Sequence, residues 1–244
     1  MSAITAIARR ELGSYFSTPL AYVFLVIFLV LAGLLTFYAG DFYDRNLADL
    51  QPFFAMHPWL YLVLVPAVAM PLWAEESRSG TIELLLTMPV STTQAMLGKF
   101  LAAWTFVAIA LVLTFPIWIT VNYLGKPDNG AIFAAYVGSL LMAGGYLAIG
   151  SCMSALTRSQ VIALILSVAV GLVFLLLGYP IITEWTSAVL PQAVANGLAS
   201  LSFLTHFEAI AKGVIDIRDI LYSAMLIAFF LLATTVALDI KKAE

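Results

Sequence analysis

Six stretches of about twenty residues, none holding an Asp, Glu, Lys or Arg, constrain this chain more than any other feature. They cover residues 20–38, 53–74, 100–123, 131–156, 161–182 and 220–238. A helix that crosses a bilayer needs about 20 mostly apolar residues. A soluble domain could not hide six of them, because much of a small domain's surface stays exposed. Composition agrees: 63% of the 244 residues are hydrophobic and only 10% charged, against about 25% charged in ordinary soluble domains. Mean hydropathy is +1.03. The pattern predicts an all-α polytopic membrane protein with six transmembrane helices. Arg9 and Arg10 before the first stretch resemble the start of a signal peptide. That stretch is long enough to span, and Ala39-Gly40-Asp41 is a poor cleavage site, so the first helix is expected to be retained.

Lys and Arg placement orients the bundle. With the N-terminus inside, the cytoplasmic side holds Arg9, Arg10, Arg78, Lys99, Arg158, Lys241 and Lys242. The outer side holds Arg45, Lys126, Lys212 and Arg218, and its first loop is acidic through Asp41, Asp44 and Asp49. Both termini are then expected in the cytoplasm. No polybasic run supports nucleic-acid binding. No internal repeat points to an inverted-repeat carrier.

The connections carry more information than the spans. Ile4, Ile7, Ala8, Leu12 and Tyr15 recur at helical spacing, opposite Thr5, Arg9, Glu11 and Ser14. They predict an amphipathic interfacial helix over 1–18, with Arg9, Arg10 and Glu11 at the headgroups. Residues 75–83 pack four charges into nine positions: Glu75, Glu76, Arg78 and Glu83. Ile82, Leu85 and Leu86 form an apolar stripe beyond them, and Gly80-Thr81 would allow close approach of another backbone. The expectation is a short helix over 75–90, ended by Pro89 and clamped between the second and third spans. Ser91-Thr92-Thr93-Gln94 reads as a capping box that opens the third span.

Residues 183–219 form a piece whose middle lacks charge, but Pro191 and Asn196-Gly197 argue against a straight helix. Two short re-entrant helices fit better, covered by protein or facing water. Ala135, Ser139, Ala143, Gly144, Gly145, Ala148 and Ser151 let the fourth span pack closely inside one subunit. Pro66, Pro71 and Pro116 are candidate kinks. Asp216 and Asp219 are expected to cap the last span. His57 and His206 have no second ligand at metal spacing, and Cys152 reads as a small buried packing residue.

Residues 76–90, Glu-Ser-Arg-Ser-Gly-Thr-Ile-Glu-Leu-Leu-Leu-Thr-Met-Pro-Val, followed by Gly98-Lys99-Phe100, resemble the coupling segment of ABC-2 type transporter permeases. Arg9-Arg10-Glu11-Leu12, residues 15–22, His206-Phe207-Glu208 and residues 213–219 are similar to the gliding-motility, GldF-like branch. The resemblance covers nearly the whole chain as a single transmembrane domain. It implies a permease subunit with an N-terminal interfacial helix, a cytoplasmic coupling helix and outer re-entrant helices. It further implies a second permease copy, in a homodimer, and two copies of a separate ATPase that binds ATP and Mg. Glu75, Glu76, Arg78, Gly80, Thr81 and Glu83 would dock on that ATPase. A periplasmic or GldG-like partner, contact with membrane lipid and residence in the bacterial inner membrane follow from the same likeness.

The chain has no Gly-x-x-x-x-Gly-Lys-Ser/Thr phosphate loop, so no catalytic residue or cofactor is assigned to it. The absence of charge within the spans disfavours proton coupling and suits a lipid-like or amphiphilic cargo, or one moved at the subunit interface; export is the expected direction. One alternative is a subunit that transports nothing and transmits ATPase motion to a periplasmic partner. A remoter one is an intramembrane glutamate protease built on Glu75-Glu76, although its arginine falls closer than that pattern requires.

Overall fold

The computed structural model describes residues 2–39, 42, 47–81 and 90–243. Among them every regular element is helical. The calls that fall on Asp41, Asp44, Arg45 and on Ile82, Glu83, Leu85, Leu86 and Pro89 lie outside the described residues.

The first helix, α1 (Ala3–Ser17), starts at Ser2, whose hydroxyl accepts from the Thr5 amide. Pro19 opens α2 (Pro19–Leu34), which winds on as a π-helix through Leu35–Ala39. A proline suits the first helical position, where no amide partner is needed. The second span is α3 (Gln51–Ala69), continued beyond Met70 by α4 (Pro71–Ser79). Residues 75–79 are the closing turns of α4, a helix that begins at Pro71.

Ser91 opens α5 (Thr92–Val112) with the expected capping box: its hydroxyl accepts from the Gln94 amide and its own amide donates to the Gln94 side chain. The helix breaks at Leu113–Thr114 and resumes as α6 (Phe115–Leu124), with Pro116 in its first turn. Of the three candidate kinks, Pro71 and Pro116 mark breaks, whereas α3 runs on past Pro66. Asp128 caps α7 (Asn129–Leu156), accepting from the Gly130 and Ala131 amides.

The fifth span is shorter than 161–182. It is α8 (Gln160–Leu176), which turns by 72° into α9 (Pro180–Val189). Pro180 starts the new helix, so Ile181 and Ile182 leave the span. Pro191 breaks the chain as expected, but Asn196 and Gly197 lie inside α10 (Gln192–Ala199). A third short helix, α11 (Phe203–Ala211), follows before α12 (Ile217–Ala243). Three short helices thus replace the expected two.

Among the described residues five helices are long and apolar enough to span, up to six if the bent pair α8–α9 counts as one broken span. The fourth span, α7, is the hub. It packs on α12, α3, α8, α11, α5 and α4. Its small residues are buried inside this one chain: Ala135, Ala143 and Ala148 are fully inaccessible, and Cys152 is buried too. The hydrophobic windows of α2 and α12 are only 28% buried, against 72% for α7. Apolar side chains on the outer helices therefore face lipid, which is their solvent.

Connections gather at two opposite ends. Asp49, Gln51, Pro127, Asp128 and Lys212 line a common cavity at one end. Glu11, Glu75, Glu76, Lys99 and Gln160 line another.

Candidate functional site

The charged end is built around a lysine that the sequence reading placed only at the edge of a span. Lys99 lies in the second turn of α5, and its side chain is only 5% exposed. Its ammonium sits 2.8 Å from a Glu76 carboxylate oxygen and 3.5 Å from one of Glu11. It also stands 5.4 Å from the centre of the Trp73 ring. The other Glu11 oxygen takes a hydrogen bond from Arg10 at 2.8 Å. One buried cation thereby ties together α1, α4 and α5. A buried charge is tolerated when it is paired and hydrogen-bonded.

Local packing puts each partner in place. Ala3, Ile4, Ile7, Ala8, Glu11, Leu12, Tyr15 and Phe16 form the half-buried face of α1. The stripe that reads as lipid-facing packs on α5. Gly98 makes this approach possible, because a Cβ there would stand 2.7 Å from Ile7 Cγ2. Phe106 on the same helix contacts Tyr15, Phe16 and Phe24 at ring-centre distances of 5.2, 5.7 and 5.3 Å. Such ring pairs add about 0.5–1.5 kcal/mol each beyond burial. Burial, and then the negative charge of Glu11, hold the Tyr15 hydroxyl above its ordinary pKa, so it stays neutral.

The break between α3 and α4 is spliced by one hydroxyl. Ser154 on α7 accepts from the Trp73 and Ala74 amides, both at 3.0 Å, and donates to the Met70 carbonyl at 2.8 Å. It thus enters the helical ladder at the break and satisfies groups that would otherwise be buried without partners. The Trp73 indole donates to Ser151 one turn away at 3.0 Å. These bonds fix the direction in which α4 leaves the bundle.

The predicted docking residues then separate by orientation. Glu76 points inward to Lys99. Glu75 accepts from the Gln160 amide at the start of α8. Arg78, Ser79, Gly80 and Thr81 are exposed. Arg78 lies in the last turn of α4, where a cation favours the helix dipole. Gly80 has φ of +75° and caps that helix in the left-handed region. A Cβ there would meet nothing within 4 Å, so its role is the turn and not a close approach. The Ser79 and Thr81 hydroxyls share a hydrogen bond at 2.9 Å. Glu83 lies outside the described residues. On α1, Arg9 and Arg10 are exposed while Glu11 turns toward Lys99.

At the opposite end a histidine faces a carboxylate. His206 Nδ1 lies 2.6 Å from the Asp219 carboxylate, and Nε2 donates to the Ser200 carbonyl at 2.8 Å. The ring stacks on Tyr222 at 3.9 Å, and the Tyr222 hydroxyl donates to the Leu201 carbonyl at 2.5 Å. Asp216 caps as expected, accepting from the Arg218 amide. Asp219 does more than cap, because it faces His206.

Neither Glu75 nor Glu76 pairs with a histidine in this arrangement. His57 is buried among Phe53, Phe54 and Tyr61. The protease reading therefore gains no acid–base pair. Among the described residues no three His, Cys, Asp or Glu side chains converge to hold a metal.

No curated protein matches the chain. Residues 5–240 match the family described as "ABC-2 family transporter protein". Permeases of that family are membrane components that work with a separate ABC ATPase subunit. With five to six candidate spans and a family match over nearly its whole length, the chain belongs to the ABC-2 transporter family.

Proposed function

We propose that this chain is the permease subunit of an ATP-driven exporter and that the exposed turn at 78–81 receives the ATPase. The observation that carries this reading is the rigid mounting of that turn. Lys99 locks α4 to α1 and α5, and Ser154 locks it to α7. A push on Arg78 or Thr81 would then reach three spans at once. A loose loop would absorb it.

In this reading α1 is the interfacial helix, residues 75–90 are the coupling segment, and 183–219 is the outer re-entrant region of a single transmembrane domain. Both termini face the cytoplasm of a bacterial inner membrane. Two permeases pair as a homodimer, and ATP and Mg bind only to the partner ATPase. The GldF-like branch and an amphiphilic cargo are parts of the same proposal. They rest on the N-terminal and 206–219 sequence likenesses and on spans without internal charge.

Arg78→Glu and Thr81→Arg test the docking face without touching the internal cluster. Both variants should fold normally yet lose at least tenfold in co-purification with the ATPase. Unchanged co-purification and ATPase activity would contradict the reading. A transmitting, non-transporting subunit is favoured by one observation at the far end. There α9 buries none of its residues, and Ile181, Trp185 and Val189 stand 63, 76 and 76% exposed. ATPase stimulation by an outer protein alone, and by no amphiphile, would support that second reading.

A further inference from the structure

Two neighbouring cavities at the α1 end differ sharply in character. The first is a groove of about 170 Å³, walled by Phe24 and Ile27 of α2, Leu64 and Val68 of α3, and Phe106 of α5. The second, of about 420 Å³, is lined by Glu11, Glu75, Glu76, Lys99 and Gln160. Tyr15, Thr18 and Pro71 line both. The two are therefore continuous across the elbow where α1 meets α2.

Depth and charge identify the occupant. From Thr18 to Ile27 is nine residues, or about 13 Å of rise along α2. One leaflet of the hydrocarbon core is about 15 Å deep. The groove thus follows an acyl chain through about one leaflet and ends at a polar chamber where a headgroup would sit. The chamber lining carries three carboxylates against one ammonium. Arg10 draws on Glu11 from outside, and Lys99 is shared between Glu11 and Glu76. Among the described residues the Glu75 carboxylate meets the neutral Gln160 amide. A headgroup bearing an ammonium complements Glu75, and one bearing only negative charge is repelled.

We infer that the groove and chamber bind one bilayer phospholipid with an amine headgroup, its acyl chain along α2 and α3 and its ammonium at Glu75. The site lies on the flank of one subunit and does not depend on what the complex transports. The bound lipid fills the wedge between α1, α2 and α3 beside the Lys99 cluster. It thereby buttresses the α1–α2 elbow that the charged junction relies on.

Native mass spectrometry of the full chain, equilibrated with equimolar phosphatidylethanolamine and phosphatidylglycerol of identical acyl chains, reads this directly. The wild type should retain phosphatidylethanolamine about tenfold over phosphatidylglycerol, as one charge-assisted hydrogen bond can supply. Glu75→Gln should bring that ratio close to one while total lipid retention stays the same. Ala67→Trp, which fills the groove from a half-buried position on α3, should lower retention of both lipids. Should that variant fail to fold, Ile27→Trp fills the groove from its exposed α2 wall. Equal retention of the two lipids by the wild type would overturn the proposal. So would an unchanged ratio in Glu75→Gln, or a groove-filling variant that loses a dimer and keeps its lipid, which would place a second copy in the groove.

Discussion

The two ends of this helical bundle are made of different materials. At the α1 end, a buried lysine, two carboxylates, an indole and a serine hydroxyl converge on α4 and the break that precedes it. At the other end, three short helices lie across the bundle, and most of α9 and α10 is exposed. Only α11 sinks firmly against α7, through Phe203, Phe207 and Ile210. A few bonds to backbone carbonyls hold the α10–α11 turn, centred on His206 and Tyr222. One end is suited to carry a displacement without deforming. The other can open in pieces, since elements with few buried contacts have low local stability.

If that contrast is real, damage at the two ends should differ in size and spread. The largest effect is expected for Lys99→Met, which strands Glu76 in a poorly solvated site and leaves Glu11 to Arg10. Removing one partner of a buried ion pair costs about 3–5 kcal/mol. Thermal melting of the solubilised chain should fall steeply, and α1 and α4 should both become accessible to protease. A melting point near that of the wild type would erase the distinction between the ends.

Next comes Ser154→Ala. It leaves the Trp73 and Ala74 amides and the Met70 carbonyl short of a partner at the α3–α4 break. A buried group left without a partner costs about 1–3 kcal/mol. Hydrogen exchange should rise at residues 70–79 while the α5 core stays protected. Uniform exchange across the bundle would mean that the serine does not splice the break.

The smallest effect is expected from Asp219→Asn, which keeps the shape of the His206 contact and removes its charge. The pair is mostly buried, its side chains 16 and 10% exposed, but asparagine can still accept from the ring, so about 1 kcal/mol, the net worth of one hydrogen bond, is at stake. Exchange should increase only over residues 192–211, with residues 92–112 unaffected. A global loss of stability would show that the outer helices are bound into the core after all.

Much of this architecture is legible in the sequence for simple reasons. Spans announce themselves because lipid forbids unpaired charge, and the capping box at Ser91–Gln94 and the break at Pro191 depend on neighbours in the chain. What stayed hidden depends on distant partners. Lys99 reads as a residue at the margin of a span until α1 and α4 deliver two carboxylates to it. The α3–α4 splice joins Met70 to a serine 84 residues away, and that serine looks like a small packing residue. Asn196-Gly197 carries a strong turn signal, yet it is helical here. His206 and Asp219 are only 13 residues apart. They nonetheless fall on different helices, so no periodicity links them.

Photo-crosslinking in the intact complex tests the central claim most directly. A crosslinking residue is placed at Arg78, at the tip of the braced turn, and separately at Tyr123, which is 89% exposed near the other end of the bundle. The ATPase should be captured from position 78 and not from position 123. Capture from position 123, or none from position 78 in a complex that still hydrolyses ATP, would contradict the assignment of the charged junction as the seat of the ATPase.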